Sequence, residues 1–225
     1  MTDEPRDTPQ WVVVVPVKRL DRAKTRLSTR TATERRQLAL AFALDTVHAS
    51  LGAASVRAVV VVTEDDAVRE AVTALGASWV PDDPDDGLNA ALDHGAAHVR
   101  AAHPGAAVAV LAADLPALRP VELERALASA AEVERGFVAD AAGTGTTLLT
   151  AVDGVALDPR FGPRSRAAHA ASGARELAPR SVPGLRRDVD TEVDLWDAGR
   201  LGLGAATSHA LGLGSADPAP GAPTS

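Results

Sequence analysis

The sequence predicts an α/β fold: one domain in three layers, with a mostly parallel β-sheet covered by helices on both faces. Three short, nearly continuous apolar runs, at residues 11–17, 58–63 and 108–113, are of the kind found in strands buried on both sides. The stretches between them carry helical patterns, and strand–helix alternation is the mark of a parallel sheet. With 225 residues, 46% of them hydrophobic, the chain can bury one substantial core and is too short for a second full domain.

Taken in order, residues 1–10 are polar and include Pro and Asp, which predicts a flexible lead-in. The run 11–17 is the first strand and 33–49 the first helix. The second strand covers 58–63 and the second helix 65–75, with Gly76 as its C-terminal stop. A helix over 88–102, the strand 108–113 and a helix over 121–134 follow. The glycine- and threonine-rich 143–147 reads as a turn leading into a strand at 147–152, and 167–172 as a short helix. Residues 186–189 read as a late short strand before a helix capped near Thr191. From 202 to 225 the chain is Gly, Ala, Pro and Ser without periodic hydrophobicity, which predicts a disordered tail, most clearly from Gly214. The expected organisation is thus 1–10 lead-in, 11–201 domain and 202–225 tail.

Composition narrows the function. The net charge is −7, no stretch approaches 18 consecutive apolar residues, and 11–17 is too short for a signal-peptide core. The expectation is a cytoplasmic enzyme or binding protein without a membrane partner. With no cysteine, disulfides, thiolate metal sites and cysteine nucleophiles are excluded, so any metal is held by oxygen or histidine. Only two of the 23 basic residues are lysine, Lys18 and Lys24, six positions apart, which suits sites that need a compact ammonium.

Ligands of such sheets bind beyond the carboxyl ends of the strands, so the loops that follow strands carry the candidates. From Lys18 to Arg36 eight basic residues face two acidic ones, a local balance of +6 in an acidic chain. Such a loop after the first strand suits a polyphosphate rather than nucleic acid, the alternative being a solvated basic loop. In Leu111-Ala112-Ala113-Asp114-Leu115-Pro116 an aspartate appears where a strand ends, a position that suits a hard cation and is also an ordinary turn. In Arg186-Arg187-Asp188-Val189-Asp190-Thr191, an extended backbone would set Asp188 and Asp190 side by side, where they repel unless a cation intervenes. The alternative has Asp190 capping the next helix and Asp188 paired with an arginine. Together with Asp114 the pair would form a three-carboxylate cluster able to hold one or two magnesium ions. The loop Gly143-Thr144-Gly145-Thr146-Thr147 is neither a P-loop nor a dinucleotide fingerprint. Phe161-Gly162-Pro163-Arg164-Ser165-Arg166 precedes a helix and reads equally as an anion site and as a capped surface helix. The six histidines show no HExxH arrangement, and Asp82-Asp83-Pro84-Asp85-Asp86 reads as a solvated turn.

With Lys18 to Leu27, Gly87-Leu88-Asn89-Ala90-Ala91-Leu92, Ala113-Asp114-Leu115-Pro116, the Gly143 loop, Phe161 to Arg166 and Asp188-Val189-Asp190-Thr191 in this order, the chain resembles the guanylyltransferases of coenzyme F-420 biosynthesis. These act on phosphoenolpyruvate or 2-phospho-L-lactate. The resemblance covers roughly residues 12–201 and implies a nucleotidyltransferase-like, Rossmann-like fold in which the usual glycine-rich first loop is replaced by the Lys/Arg segment. It implies that Lys18, Lys24 and Arg26 contact the triphosphate of GTP, with Gly87, Leu88 and Asn89 against the nucleoside. Asp114, Asp188 and Asp190 would hold magnesium. Thr147, with Thr146 as a one-residue alternative, Gly162 and Ser165 would bind the acceptor, and Lys18, Lys24, Arg26 and Asp114 would be catalytic. The product would pass to a deazaflavin transferase. Two other readings stay open on the residues alone: a nucleotidyltransferase for another acceptor or nucleotide, and a non-catalytic nucleotide-binding module. The choice between the two acceptors, the number of ions and the oligomeric state are not encoded in any of these motifs.

Overall fold

In a computed structural model, residues 9–22, 24–82 and 87–213 are described. Residues 1–8 of the expected lead-in (1–10), residues 83–86 of the acidic turn (82–86) and the tail from Gly214 lie outside them. Strand β1 (Trp11–Pro16) is central, parallel to both β2 (Val56–Val62) and β4 (Ala107–Leu111). Strand β3 (Ser78–Val80) adds in parallel beyond β2. On the other side β6 (Thr146–Ala151) is antiparallel to both β4 and β5 (Arg135–Ala139), and β7 (Arg175–Glu176) closes the order β3-β2-β1-β4-β6-β5-β7. The sheet is mostly parallel, as the sequence predicts.

Alternation along the central strands divides the interior. Val13, Val15, Val59 and Val61 face helix α1 (Ala32–Leu51) and α4 (Pro120–Ala130) in one apolar core. Val12, Val14, Val60 and Val62 face α3 (Leu88–Ala102) in the other. Helix α3 lies so close that a Cβ on Gly95 would come within 2.8 Å of Val14 and Val62, which is why a glycine interrupts that helix. Helix α2 (Asp66–Ala74) starts on an Asp65 cap and is followed by Gly76 at φ +93, the expected stop. Helix α1 begins in a capping box between Thr31 and Glu34.

Two expectations are corrected. Residues 186–189 are not a strand: Pro183–Arg186 forms a single helical turn, α6, begun by Pro183, whose fixed φ suits a first turn and whose missing N–H costs nothing there. The Arg186 guanidinium then donates to the carbonyls of Ala139 and Asp140, drawing this turn onto the end of β5. Second, the segment after Leu201 does not lose structure at once. After α5 (Ser165–Ala171) and α7 (Glu192–Leu201), helix α8 (Ala205–Ala210) packs on α1. Its first turn is capped by the buried Asp45 of α1, which accepts from the N–H groups of Ala206 and Thr207, both at 2.9 Å. The cap lies about 160 residues away in sequence, so no local pattern announces it.

Asp45→Ala should therefore cost about 1–2 kcal/mol of unfolding free energy, the usual range for a lost cap, read from urea denaturation. An unchanged midpoint would show that α8 contributes nothing to the domain.

Candidate active site

The carboxyl ends of β1 and β4 open into a cavity of about 430 Å³. Its polar lining includes Lys18, Lys24, Asp114, Thr146, Ser165, Asp188 and Asp190, beside apolar Val17, Leu88, Leu92 and Phe161. The basic loop that follows β1 is pinned by local chemistry. Leu20 and Leu27 are buried, and the Leu20 N–H donates to Asp65 at 3.1 Å. Lys24 sits in left-handed backbone at φ 55, and its side chain is only 11% exposed. Its ammonium is bonded to Asp114 and, at 3.1 Å, to Asp190. Burial alone would lower the Lys24 pKa, but the two carboxylates outweigh it and hold the amine above its ordinary value.

Each aspartate is set by its own scaffold. Asp114 leaves β4 between Ala113, whose carbonyl accepts from Thr46 Oγ1, and Leu115, whose N–H donates to that hydroxyl at 3.1 Å. Val189 N–H donates to the Asp114 carbonyl, which draws the 188–190 segment onto the same strand end. Asp190 immediately precedes the capping box of α7, formed by Thr191 with Asp194 rather than by Asp190. Asp188 is pushed up to about 7, first by burial and then by Asp114, Asp140 and Asp190. A carboxylate hindered from ionising by its neighbours needs another cation before all of them can be charged.

The structure thus brings Lys18, Lys24, Leu88, Asp114, Gly162, Ser165, Asp188 and Asp190 to one cavity. Asp114 and Asp190 both bond the Lys24 ammonium, Asp188 lines the same cavity, and among the described residues no three acidic or histidine side chains already form an ion cage. Lys18 is exposed on the cavity wall without an ion-pair partner among the described residues. Arg26 lies at the rim, 75% exposed and 3.4 Å from Asp190. Gly87 is the N-cap of α3, at φ 93. Asn89 does not face the cavity freely, because its amide is taken by one backbone: Nδ2 donates to Phe161 O at 3.1 Å and Oδ1 accepts from Phe161 N–H at 2.8 Å. Of the threonine pair, Thr146 lines the cavity. Thr147 sits at the register shift opposite Val138 and Ala139, buried, with a hydroxyl that has no hydrogen-bond partner among the described residues.

Two residues that sequence reasoning passed over complete the site. Asp140 accepts from the N–H groups of Thr144 and Gly145, both at 2.8 Å, and so shapes the loop before β6. A Cβ at Gly145 would fall 2.5 Å from that carboxylate. His169 is fully buried, its ring edge-on to Phe161 with centroids 4.9 Å apart. Its Nε2 accepts from the Arg160 N–H, and its Nδ1 lies 2.9 Å from Thr146 Oγ1. The available signal was spacing: His169 follows Ser165 by four residues in α5, on the same helical face.

The sequence profile of the family described as "Guanylyl transferase CofC like" matches residues 11–178. A phosphoenolpyruvate guanylyltransferase of Thermomonospora curvata is 55% identical over 215 residues, 96% of this chain and 94% of its own. One of Streptomyces scabiei is 57% identical over 206 residues, 89% and 95% of the two chains. Among solved structures, a nucleotidyl transferase from Methanothermobacter superposes with a TM-score of 0.56 at 21% identity, covering 85% of this chain and 97% of its own. A Mycobacterium tuberculosis protein solved in complex with manganese has a TM-score of 0.52 at 21% identity, covering 84% and 97%. At such identities these structures speak for the fold.

Burial first, then Arg135, lowers the His169 pKa to about 4 from an ordinary 6.5. An unfolded chain takes up that proton below pH 6.5 while the folded chain refuses it until about pH 4. Stability is therefore complete above 6.5 and is lost as pH falls through the window, by up to roughly 3 kcal/mol. Asp188, raised to about 7, works in the opposite sense, since its contribution is lost as pH rises from 3.8 towards 7. Denaturation of wild type and His169→Phe at pH 7 and pH 4.5 isolates the imidazole, and the difference in stability between the two proteins should shrink at the lower pH. A constant difference would show that His169 is not held neutral.

Proposed function

The chain belongs to the family of CofC-like guanylyl transferases, and from that premise we propose that it transfers GMP from GTP to phosphoenolpyruvate with release of pyrophosphate. The product is enolpyruvyl-2-diphospho-5'-guanosine, which in coenzyme F-420 biosynthesis is passed to a deazaflavin transferase. The names of relatives at 55% and 57% identity favour phosphoenolpyruvate over 2-phospho-L-lactate. The observation that carries the reading is that one cavity at the ends of β1 and β4 combines two ammonium groups, three aspartates and the Gly162–Ser165 loop.

In this reading Lys18, Lys24 and Arg26 hold the triphosphate, and Leu88, beside Gly87, packs against the nucleoside. Asn89 serves by fixing the Phe161 backbone. Asp114 and Asp190, both paired with Lys24, and Asp188, whose ionisation its neighbours oppose, are a donor set that suits a divalent cation. Asp114, Asp188 and Asp190 would hold magnesium, as one or two ions, and bound there it neutralises phosphate charge. Ser165 is buried on the cavity wall with no side-chain hydrogen bond among the described residues, so its hydroxyl is available to an acceptor anion. Gly162, at φ 136, leaves the approach to the backbone there open. Thr146 or Thr147 completes the acceptor site.

The acceptor phosphate is already anionic at neutral pH, so the chain needs no general base. One acceptor oxygen bonds to the α-phosphorus in line as the bond from that phosphorus to the β-phosphate's bridging oxygen breaks, and pyrophosphate carries away the electron pair. Positioning and charge neutralisation supply the acceleration.

GTP, magnesium and phosphoenolpyruvate with the purified protein should release pyrophosphate, and no release above the acceptor-free control with this acid or with 2-phospho-L-lactate would refute the proposal. Ser165→Ala should raise KM for phosphoenolpyruvate about tenfold to a hundredfold, the loss of one charge-assisted hydrogen bond. GTP affinity by calorimetry should move less than about threefold, as expected of separate subsites. A collapse in GTP affinity with the acceptor KM intact would assign this loop to the nucleotide.

A further inference from the structure

One imidazole touches Thr146, a candidate acceptor group, and the two residues that precede Gly162. His169 bonds the backbone of Arg160, packs its ring against Phe161, next to Gly162, and meets the hydroxyl of Thr146. Thr146, Phe161 and Gly162 all line the cavity. The protonation pattern of this contact follows from its geometry. Arg160 N–H can only donate, so Nε2 at 2.9 Å is the bare nitrogen. A neutral ring then carries its proton on Nδ1, and Nδ1–H donates to Thr146 Oγ1 at 2.9 Å. A hydroxyl that accepts there keeps its own proton for another partner, and among the described residues His169 is its only side-chain partner. What remains open to that proton is the cavity.

We propose that His169 is a positioning residue for the acceptor: by donating to Thr146 Oγ1 it compels that hydroxyl to donate its own proton into the cavity, to a carboxylate or phosphate oxygen of the acceptor. The inference rests on the guanylyl-transfer reading and decides within it between the two threonines, in favour of Thr146. The imidazole stays neutral across the physiological range because burial depresses its pKa, so the orientation does not change with pH. Asn89 holds Phe161 from α3 while His169 holds Arg160 from α5, so the loop carrying Gly162 is fixed from two helices. Thr147, whose buried hydroxyl has no partner among the described residues, plays no part in this relay.

The test is a double-mutant cycle of Thr146→Val, His169→Phe and the double variant, with KM measured separately for phosphoenolpyruvate and GTP. Thr146→Val should raise the phosphoenolpyruvate KM at least about tenfold, as for a lost hydrogen bond to a charged group, and Thr146→Ser, which keeps the hydroxyl, should fall less far. His169→Phe should raise the same KM, and the double variant should be no worse than Thr146→Val alone. GTP KM should shift less than about threefold throughout, a split that general loosening of the fold does not produce. Should His169→Phe fail to fold, His169→Gln replaces it in the cycle, since its amide can accept from Arg160 N–H and cannot also reach Thr146. Effects that multiply, equal shifts in both KM values, or an unchanged phosphoenolpyruvate KM in Thr146→Val overturn the inference while a working wild type upholds guanylyl transfer. A wild type without turnover overturns both.

Discussion

The contact on which the site depends is a buried ammonium among carboxylates. Lys24 reaches Asp114 across 90 residues of chain and Asp190 across 166. It thereby joins the loop after β1, the end of β4 and the segment before α7. Carboxylates gathered in a partly buried cavity repel, and leaving them unpaired would cost several kcal/mol. Lys24 neutralises part of that charge, and the raised pKa of Asp188 marks the part that it does not. The surrounding polar anchors follow from this demand. Thr46 fixes the chain on both sides of Asp114, and Val189 ties the second carboxylate segment to the first.

Where a side chain's surroundings are set by its own strand or helix, the sequence was readable. The apolar runs became β1, β2 and β4, and the helix expected over 88–102 is α3 at both ends. Asp114 lies three residues beyond β4, directly after the apolar run at 108–113, and a run's end is visible in one dimension. Strands β5 and β7 offered little pattern, since β5 has only Phe137, Val138 and Ala139 as an apolar run and β7 is two residues long. Residues 186–189 misled because the alternation Asp188-Val189-Asp190 at their end mimics a strand, whereas Pro183 and the Arg186 guanidinium impose a turn. The roles of Asp45 and His169 were hidden for a different reason: each serves backbone groups or hydroxyls contributed by other elements, and such partners exist only after folding.

The basic loop shows the same division. Its charge excess was plain in the sequence. The structure spends part of that excess internally: Lys24 and Arg26 face Asp190, and Arg30 bridges to Glu192 at 3.2 Å. Lys18 retains an unpaired ammonium among the described residues. Two lysines six residues apart thus occupy contrasting environments, one exposed and one almost enclosed, from the same loop.

Strand β6 runs against its neighbours, and this reversal separates two kinds of inheritance within one pocket. Because β6 is antiparallel to β4, with Leu148 opposite Leu111, its beginning rather than its end lies beside Asp114. The parallel half, β1 to β4, therefore contributes the ends of strands, while the later half contributes the start of one strand and the loop ahead of α5. Substitutions near Thr146, Phe161 and Ser165 can reshape what the pocket accepts without disturbing the register of β1, β2 and β4. A lineage could vary the second half of the lining by drift while the strand ends contributed by the first half stay where they are.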